Sequence, residues 1–214
     1  MNKQNEQLEA LTEIRSMMER SSRFISLSGL SGVSAGIFAL IGAAVAYYHF
    51  HMGIDNSKVY EYATSSDSNT KLNFYFFCFT SGALILIASL AAGVFFTVRK
   101  AKRKGQAIWD NTAKRVLINL FIPLAAGGLF CIALLFNRVL GLIGPATLIF
   151  YGLALINASK YTLHDIRYLG ICEIILGLIA SWFMAYSLFF WAIGFGVMHI
   201  IYGTVMYFKY EKSN

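Results

Sequence analysis

An all-α, polytopic membrane bundle is the fold this sequence predicts: six transmembrane helices with both termini cytoplasmic, preceded by a cytoplasmic amphipathic helix. Three observations lead there. The chain of 214 residues is 57% hydrophobic and only 14% charged. A soluble domain carries roughly a quarter charged residues, so this chain has too little charge to cover a water-facing surface. The charges are gathered into a few stretches. The apolar runs between them are ~20 residues long, which at 1.5 Å per residue matches a hydrocarbon core of ~30 Å. Finally, Lys and Arg collect on alternate connectors, as the positive-inside rule requires.

Residues 1–23 are polar, and Leu8, Leu11, Ile14 and Met18 recur on one helical face. This segment is expected to lie on the membrane surface or on a cytoplasmic partner. The first span is placed at 24–50. Gly29, Gly32, Gly36, Ala39, Ala43 and Ala46 repeat along it at alternating steps of three and four. Such a seam lets another backbone come close, and a homo-oligomer formed through it is one expectation. The apolar run is longer than the 7–15 residues of a signal-peptide core, so it reads as an uncleaved anchor.

A solvated loop rich in Ser, Asn and Asp leads to the second span, 72–98. The basic loop expected after it contains Arg99, Lys100, Lys102, Arg103 and Lys104. It is expected to face anionic lipid headgroups, where each Lys or Arg contributes about 1 kcal/mol of attraction. Asp110, Asn111 or Thr112 supplies the cap for the third span, 116–135. Pro123 lies inside that span and frees the carbonyl of Asn119 four residues earlier. The fourth, fifth and sixth spans are placed at 140–159, 166–188 and 191–208, with 209–214 as a polar cytoplasmic tail.

With the N-terminus inside, 15 of the 18 Lys and Arg fall on the cytoplasmic side, leaving Lys58, Lys71 and Arg138 outside. Tyr47, Tyr48, Tyr75 and Trp191 mark outer ends, and Tyr168, Tyr207 and Tyr210 inner ends, as aromatic belts do.

Chemistry is most readily expected at Glu173, an acidic residue inside an apolar span. An ionisable group there costs a few kcal/mol and must face the protein interior or water. Gly170, Glu173, Gly177, Ala180 and Met184 share one face of the fifth span. Ala192, Gly196, His199 and Gly203 form a matching seam on the sixth. Glu173 and His199 therefore each sit on a close-packing face. Counted from a turn near Phe189, Glu173 lies deeper by ~9 Å. Counted from the cytoplasmic ends the two are level. Tyr202, one turn further in, is the rival partner for the glutamate. Asn119 joins the candidate pathway through the Pro123 interruption, because broken helices can build binding sites.

Several classes are disfavoured. The sequence lacks GxSxG, HExxH, Walker A and GxGxxG motifs, so an enzyme is not expected. No cofactor or metal is expected: Cys78, Cys131 and Cys172 lack ligand spacing, and His49 and His51 do not share a helical face. The net charge of +7 comes mostly from the stretch beside the membrane and the N-terminal arginines, so nucleic acid is not an expected partner.

The stretch 18–42, in which Glu19-Arg20-Ser21-Ser22-Arg23 enters a glycine- and serine-rich span, resembles a family of uncharacterised bacterial six-span inner-membrane proteins. The resemblance implies a bacterial cytoplasmic membrane and nothing about substrate. Two functions remain in view. One is a small transport or permeation protein using Glu173. The other is a regulatory or scaffolding membrane protein that holds a cytoplasmic partner.

Overall fold

The computed structural model describes residues 27–51, 57–105 and 109–212. The expected amphipathic segment 1–23 lies outside the described residues. Within them the chain is helical, without strands. The helices are α1 (Gly29–His49), α2 (Ser57–Thr64), α3 (Ser68–Arg103), α4 (Asn111–Phe136), α5 (Ile143–Ala158) and α6 (Ile166–Trp182). A last rod then runs without a break through α7 (Ser187–Trp191), a π-helical stretch (Ala192–Met198) and α8 (His199–Tyr210).

Helix starts follow local chemistry. Asp67 caps α3, accepting from the amides of Asn69 at 3.2 Å and Thr70 at 2.9 Å. These bonds and one from the Thr70 hydroxyl hold its carboxyl below the usual carboxylate range, the hydroxyl contributing most. Of the three candidates for α4, Asp110 is the cap, taking the Ala113 amide at 2.6 Å.

Five helical segments among the described residues are long and apolar enough to cross a membrane: Gly29–His49, Ser68–Arg103, Asn111–Phe136, Leu140–Tyr161 and Met184–Tyr210. Such a set is compatible with a multi-pass membrane protein. The fifth expected span, 166–188, corresponds to α6, a shorter helix of 17 residues with Glu173 near its middle.

The helices pack as a broad row. At one edge α3 packs on α1, and α1 packs on the last rod. The rod meets the tightly paired α5 and α6, and α4 closes the other edge against α5. The edge helices leave apolar faces uncovered, with Phe76, Phe79 and Leu90 on α3 and Phe121 and Leu129 on α4. That is the arrangement of a bundle whose surroundings are apolar.

Both small-residue seams are used inside the chain. A Cβ built on Gly203 of α8 would stand 2.6 Å from the Gly29 carbonyl oxygen and 2.6 Å from the Val33 amide nitrogen. Gly32 and Gly36 likewise meet Gly203 and Gly196. On the other side, Gly152 and Gly170 bring the backbones of α5 and α6 together. The expected homo-oligomer seam at Gly29, Gly32 and Gly36 is therefore corrected: the last helix of the same chain fills it. Carbon surface gains little from association in an apolar surrounding, so close backbone approach is the available source of attraction.

A second correction concerns the turn between the last two spans. It falls at Phe183 and the 3₁₀ turn Met184–Tyr186, several residues before the sequence-based position. No Gly or Pro marks it. Aromatic side chains gather there instead, and Trp182 is 86% exposed. The rod accordingly begins at Ser187.

The Pro123 interruption is repaired by a neighbour. The freed carbonyl of Asn119 accepts the Asn157 side-chain amide from α5 at 2.9 Å. The Asn119 amide turns back on its own helix, donating to the Arg115 carbonyl at 2.8 Å. Asn157→Leu should therefore strand a carbonyl and cost about 1–3 kcal/mol. Adding Pro123→Ala restores a backbone donor and should recover most of that loss. Thermal unfolding of the two single variants and the double checks this, and additive losses would refute the pairing.

Candidate functional site

Three side chains from three helices meet in the apolar interior. Glu173 projects from α6 between Gly170 and Gly177, both of which face α5. Tyr151 comes from α5, and His199 is the first residue of α8. Glu173 is 0% exposed and His199 5%. The His199 Nδ1 stands 3.4 Å from Glu173 Oε1, and its Nε2 is 2.8 Å from the Tyr151 hydroxyl.

The relocated turn explains why the pair is level. Glu173 and His199 are roughly 11 and 13 residues from the 3₁₀ turn, a difference of only ~3 Å in depth at 1.5 Å per residue. The π turns between them rise less per residue, which removes part of that difference.

Hydrogen bonding fixes the imidazole tautomer. Nδ1 lies 3.0 Å from the Gly194 carbonyl oxygen, which can only accept. Nδ1 therefore carries the proton, and Nε2 of the neutral ring accepts from the Tyr151 hydroxyl. The Gly194 carbonyl lies five residues before His199, the spacing characteristic of the π-helical stretch. Phe195 stacks on the imidazole at 5.9 Å between centroids and also packs on Tyr151 at 5.0 Å.

Gly194 is also what lets the carboxyl fit. A Cβ there would stand 2.5 Å from Glu173 Oε2 and 2.5 Å from Leu148 Cδ2. Neither carboxyl oxygen has a hydrogen-bond partner among the described residues. A buried polar group left in that condition costs about 1–3 kcal/mol, and more if charged. Such a carboxyl gains strongly from any proton or cation that reaches it.

Other expected site residues fall elsewhere. Tyr202 is not the partner of Glu173. Its hydroxyl is buried without a hydrogen-bond partner among the described residues, and its ring packs against the cluster of Leu155, Leu163, Ile166, Leu169 and Met206. Asn119 is bonded within its own helix and to Asn157, which removes it from the glutamate's surroundings. His49 stacks flat on Phe77 at 3.9 Å.

The basic stretch is also corrected in part. Arg99, Lys100, Lys102 and Arg103 belong to the final turn of α3 rather than to a loop, and Lys104 caps it. Arg99, Lys102, Arg103 and Lys104 are exposed, but Lys100 is buried. Its Nζ donates to the Leu27 carbonyl at 2.6 Å and pairs with Glu211 at 3.6 Å. A helical period separates Lys100 from its basic neighbours and turns it toward α1.

Glu211, a residue of the polar tail that no motif marks, completes this clasp. It takes the Gly29 amide at 2.6 Å and the Ser28 hydroxyl at 3.1 Å, supplying the missing acceptor at the N-terminus of α1. Beside it, Lys209 and the Tyr210 hydroxyl bond Asp165 at 2.6 and 2.8 Å. Partial burial pushes the Asp165 carboxyl up, but these two bonds together with the nearby charges of Lys209 and His164 hold the group below its ordinary range. The end of α8 is thus tied to α1, α3 and the start of α6.

Tyr151 was missed for a different reason. A tyrosine inside an apolar run passes for an ordinary aromatic, although its hydroxyl demands a partner when buried. Its position near the centre of the fourth span, away from the belts, was the available signal. Comparison with family models, with curated proteins and with solved structures finds no match for this chain.

Proposed function

We propose that this chain is a six-span protein of a bacterial cytoplasmic membrane, with both termini inside, that carries a proton or small cation through Glu173. The observation that carries this reading is the carboxyl itself: it is fully buried, without a hydrogen-bond partner among the described residues, and 3.4 Å from an imidazole nitrogen. Proteins keep such a group where its binding or release of charge is used. The distribution of Lys and Arg supports the topology, and α6 supplies a sixth crossing of ~26 Å at 1.5 Å per residue.

The sealed carboxyl favours a carrier that opens over a standing pore. In reconstituted vesicles, Glu173→Gln should lower ion uptake at least ~10-fold while the variant still folds. Wild-type uptake in that variant would refute the assignment.

The same sealing favours a second reading, a regulatory membrane protein. Its cytoplasmic partner would be held by residues 1–23 and the exposed cations Arg99, Lys102, Arg103 and Lys104. Under that reading deletion of residues 1–16 is the damaging change and Glu173→Gln is mild.

A further inference from the structure

We propose that the substrate of this site is the bare proton, handed along Tyr151, His199 and Glu173, and that metal cations are excluded. The inference rests on the transport reading above and names its substrate class.

The first argument is the supply of ligands. A metal cation that leaves water needs a shell of oxygens, about six for a hard cation. Glu173 offers two. The Gly194 carbonyl is engaged by His199 Nδ1, and the Tyr151 hydroxyl by His199 Nε2. Beside the carboxyl at Gly194 stand the hydrocarbon side chains of Leu148 and Leu176. A Cβ on Gly194 would touch Leu148 Cδ2 at 2.5 Å and Leu176 Cδ2 at 3.2 Å. Among the described residues no cluster of three or more His, Cys, Asp or Glu stands ready to hold a metal.

The second argument is connectivity. A proton needs one donor and one acceptor at each step, and the imidazole offers both. Its Nε2 lone pair faces Tyr151, and its Nδ1 proton lies between the Gly194 carbonyl at 3.0 Å and Glu173 Oε1 at 3.4 Å. In the transfer, the Tyr151 O–H bond breaks and its proton forms the Nε2–H bond, while a proton from a hydronium ion re-forms the Tyr151 O–H bond. The Nδ1–H bond breaks, and its proton forms an O–H bond on the Glu173 carboxylate. The ring ends neutral in the opposite tautomer and the carboxyl ends neutral. When α6 and α8 part, the carboxyl releases its proton to water, and the ring loses its Nε2 proton to water and takes one on Nδ1, which restores the starting tautomer. Three helices each contribute one member, so separation of α6 from α8 would break the relay between His199 and Glu173.

The test uses the full chain in sealed vesicles holding a pH-sensitive dye, with radioactive sodium and rubidium as tracers. The expected result is dye-reported proton uptake without sodium or rubidium uptake. It should fall at least ~10-fold in Tyr151→Phe, which removes a single hydroxyl, and in Glu173→Gln. Each variant's melting temperature is measured alongside. Should Glu173→Gln fail to fold, Glu173→Asp keeps the charge, withdraws it from His199, and should slow proton uptake. Sodium or rubidium uptake that depends on Glu173 would overturn the proton assignment and leave the transport reading standing. Proton uptake unchanged in Tyr151→Phe would overturn the relay. No uptake of any of the three ions would overturn the transport reading, and this inference with it.

Discussion

Gly203→Ala should destabilise the protein by about 3 kcal/mol, at the upper end for forcing volume into a packed site, and Gly203→Val should cost more. The reason is what the new carbon would meet. It would stand 2.6 Å from the Gly29 oxygen, 2.6 Å from the Val33 nitrogen and 3.0 Å from the Gly32 carbon, all backbone atoms. A side chain can swing aside, but here α1 and α8 would have to part. Their separation would also pull Glu211 from the Gly29 amide and the Ser28 hydroxyl. In a chain of this size each kcal/mol moves the melting temperature by ~2–4 °C, so Gly203→Ala should lower it by roughly 10 °C. Gly128 supplies the control. A Cβ there meets nothing within 4 Å, and Gly128→Ala should be neutral or stabilising by up to ~1 kcal/mol through helix propensity. If both variants melt like the parent, the backbone-to-backbone contact between α1 and α8 does not exist.

That contact illustrates which features were legible before the structure. The spacing of Gly29, Gly32 and Gly36 announced a close approach, but a one-helix pattern does not say whether the partner is another copy or a distant part of the same chain. Gly203 lies far along the chain, and nothing local couples the two. The Pro123 break was legible in the same partial way. Proline chemistry names the carbonyl that loses its donor, Asn119, while the replacement donor, Asn157, is a matter of how α4 packs on α5. Lys100 was hidden by its neighbours, since a run of cations reads as one patch until helical periodicity divides it.

Glu173 and His199 stood out because titratable groups are rare in apolar runs. Whether they met depended on the turn, and the turn is written in side chains that resemble the spans around it. Trp182, Phe183 and Tyr186 favour an interface, yet they are apolar enough to be absorbed into a longer helix by any reading of hydropathy. The π-helical stretch was illegible for a related reason. Gly194 and Gly196 lie in it, but glycine is common in such helices, and no local pattern of residues announces the extra residue in the turn.

Glu173→Met should raise stability by about 1–3 kcal/mol, the cost of a buried polar group left without partners. Methionine matches the length and flexibility of glutamate and brings no group that needs hydration. His199→Leu should act in the opposite sense. It deletes the bonds to Gly194 and Tyr151 and leaves the Tyr151 hydroxyl buried without its acceptor, for a loss of about 2–4 kcal/mol. Thermal unfolding in detergent should therefore move up by several degrees for Glu173→Met and down for His199→Leu. The contrast bears on why the glutamate is there. If its role were to glue helices, removing it would weaken the bundle, and a melting temperature lowered by Glu173→Met would return the site to a packing contact. A carboxyl that the fold holds at a cost, beside an imidazole that the fold holds at a profit, is what a group kept for its chemistry looks like. The measurement separates the two without knowing what, if anything, the protein moves.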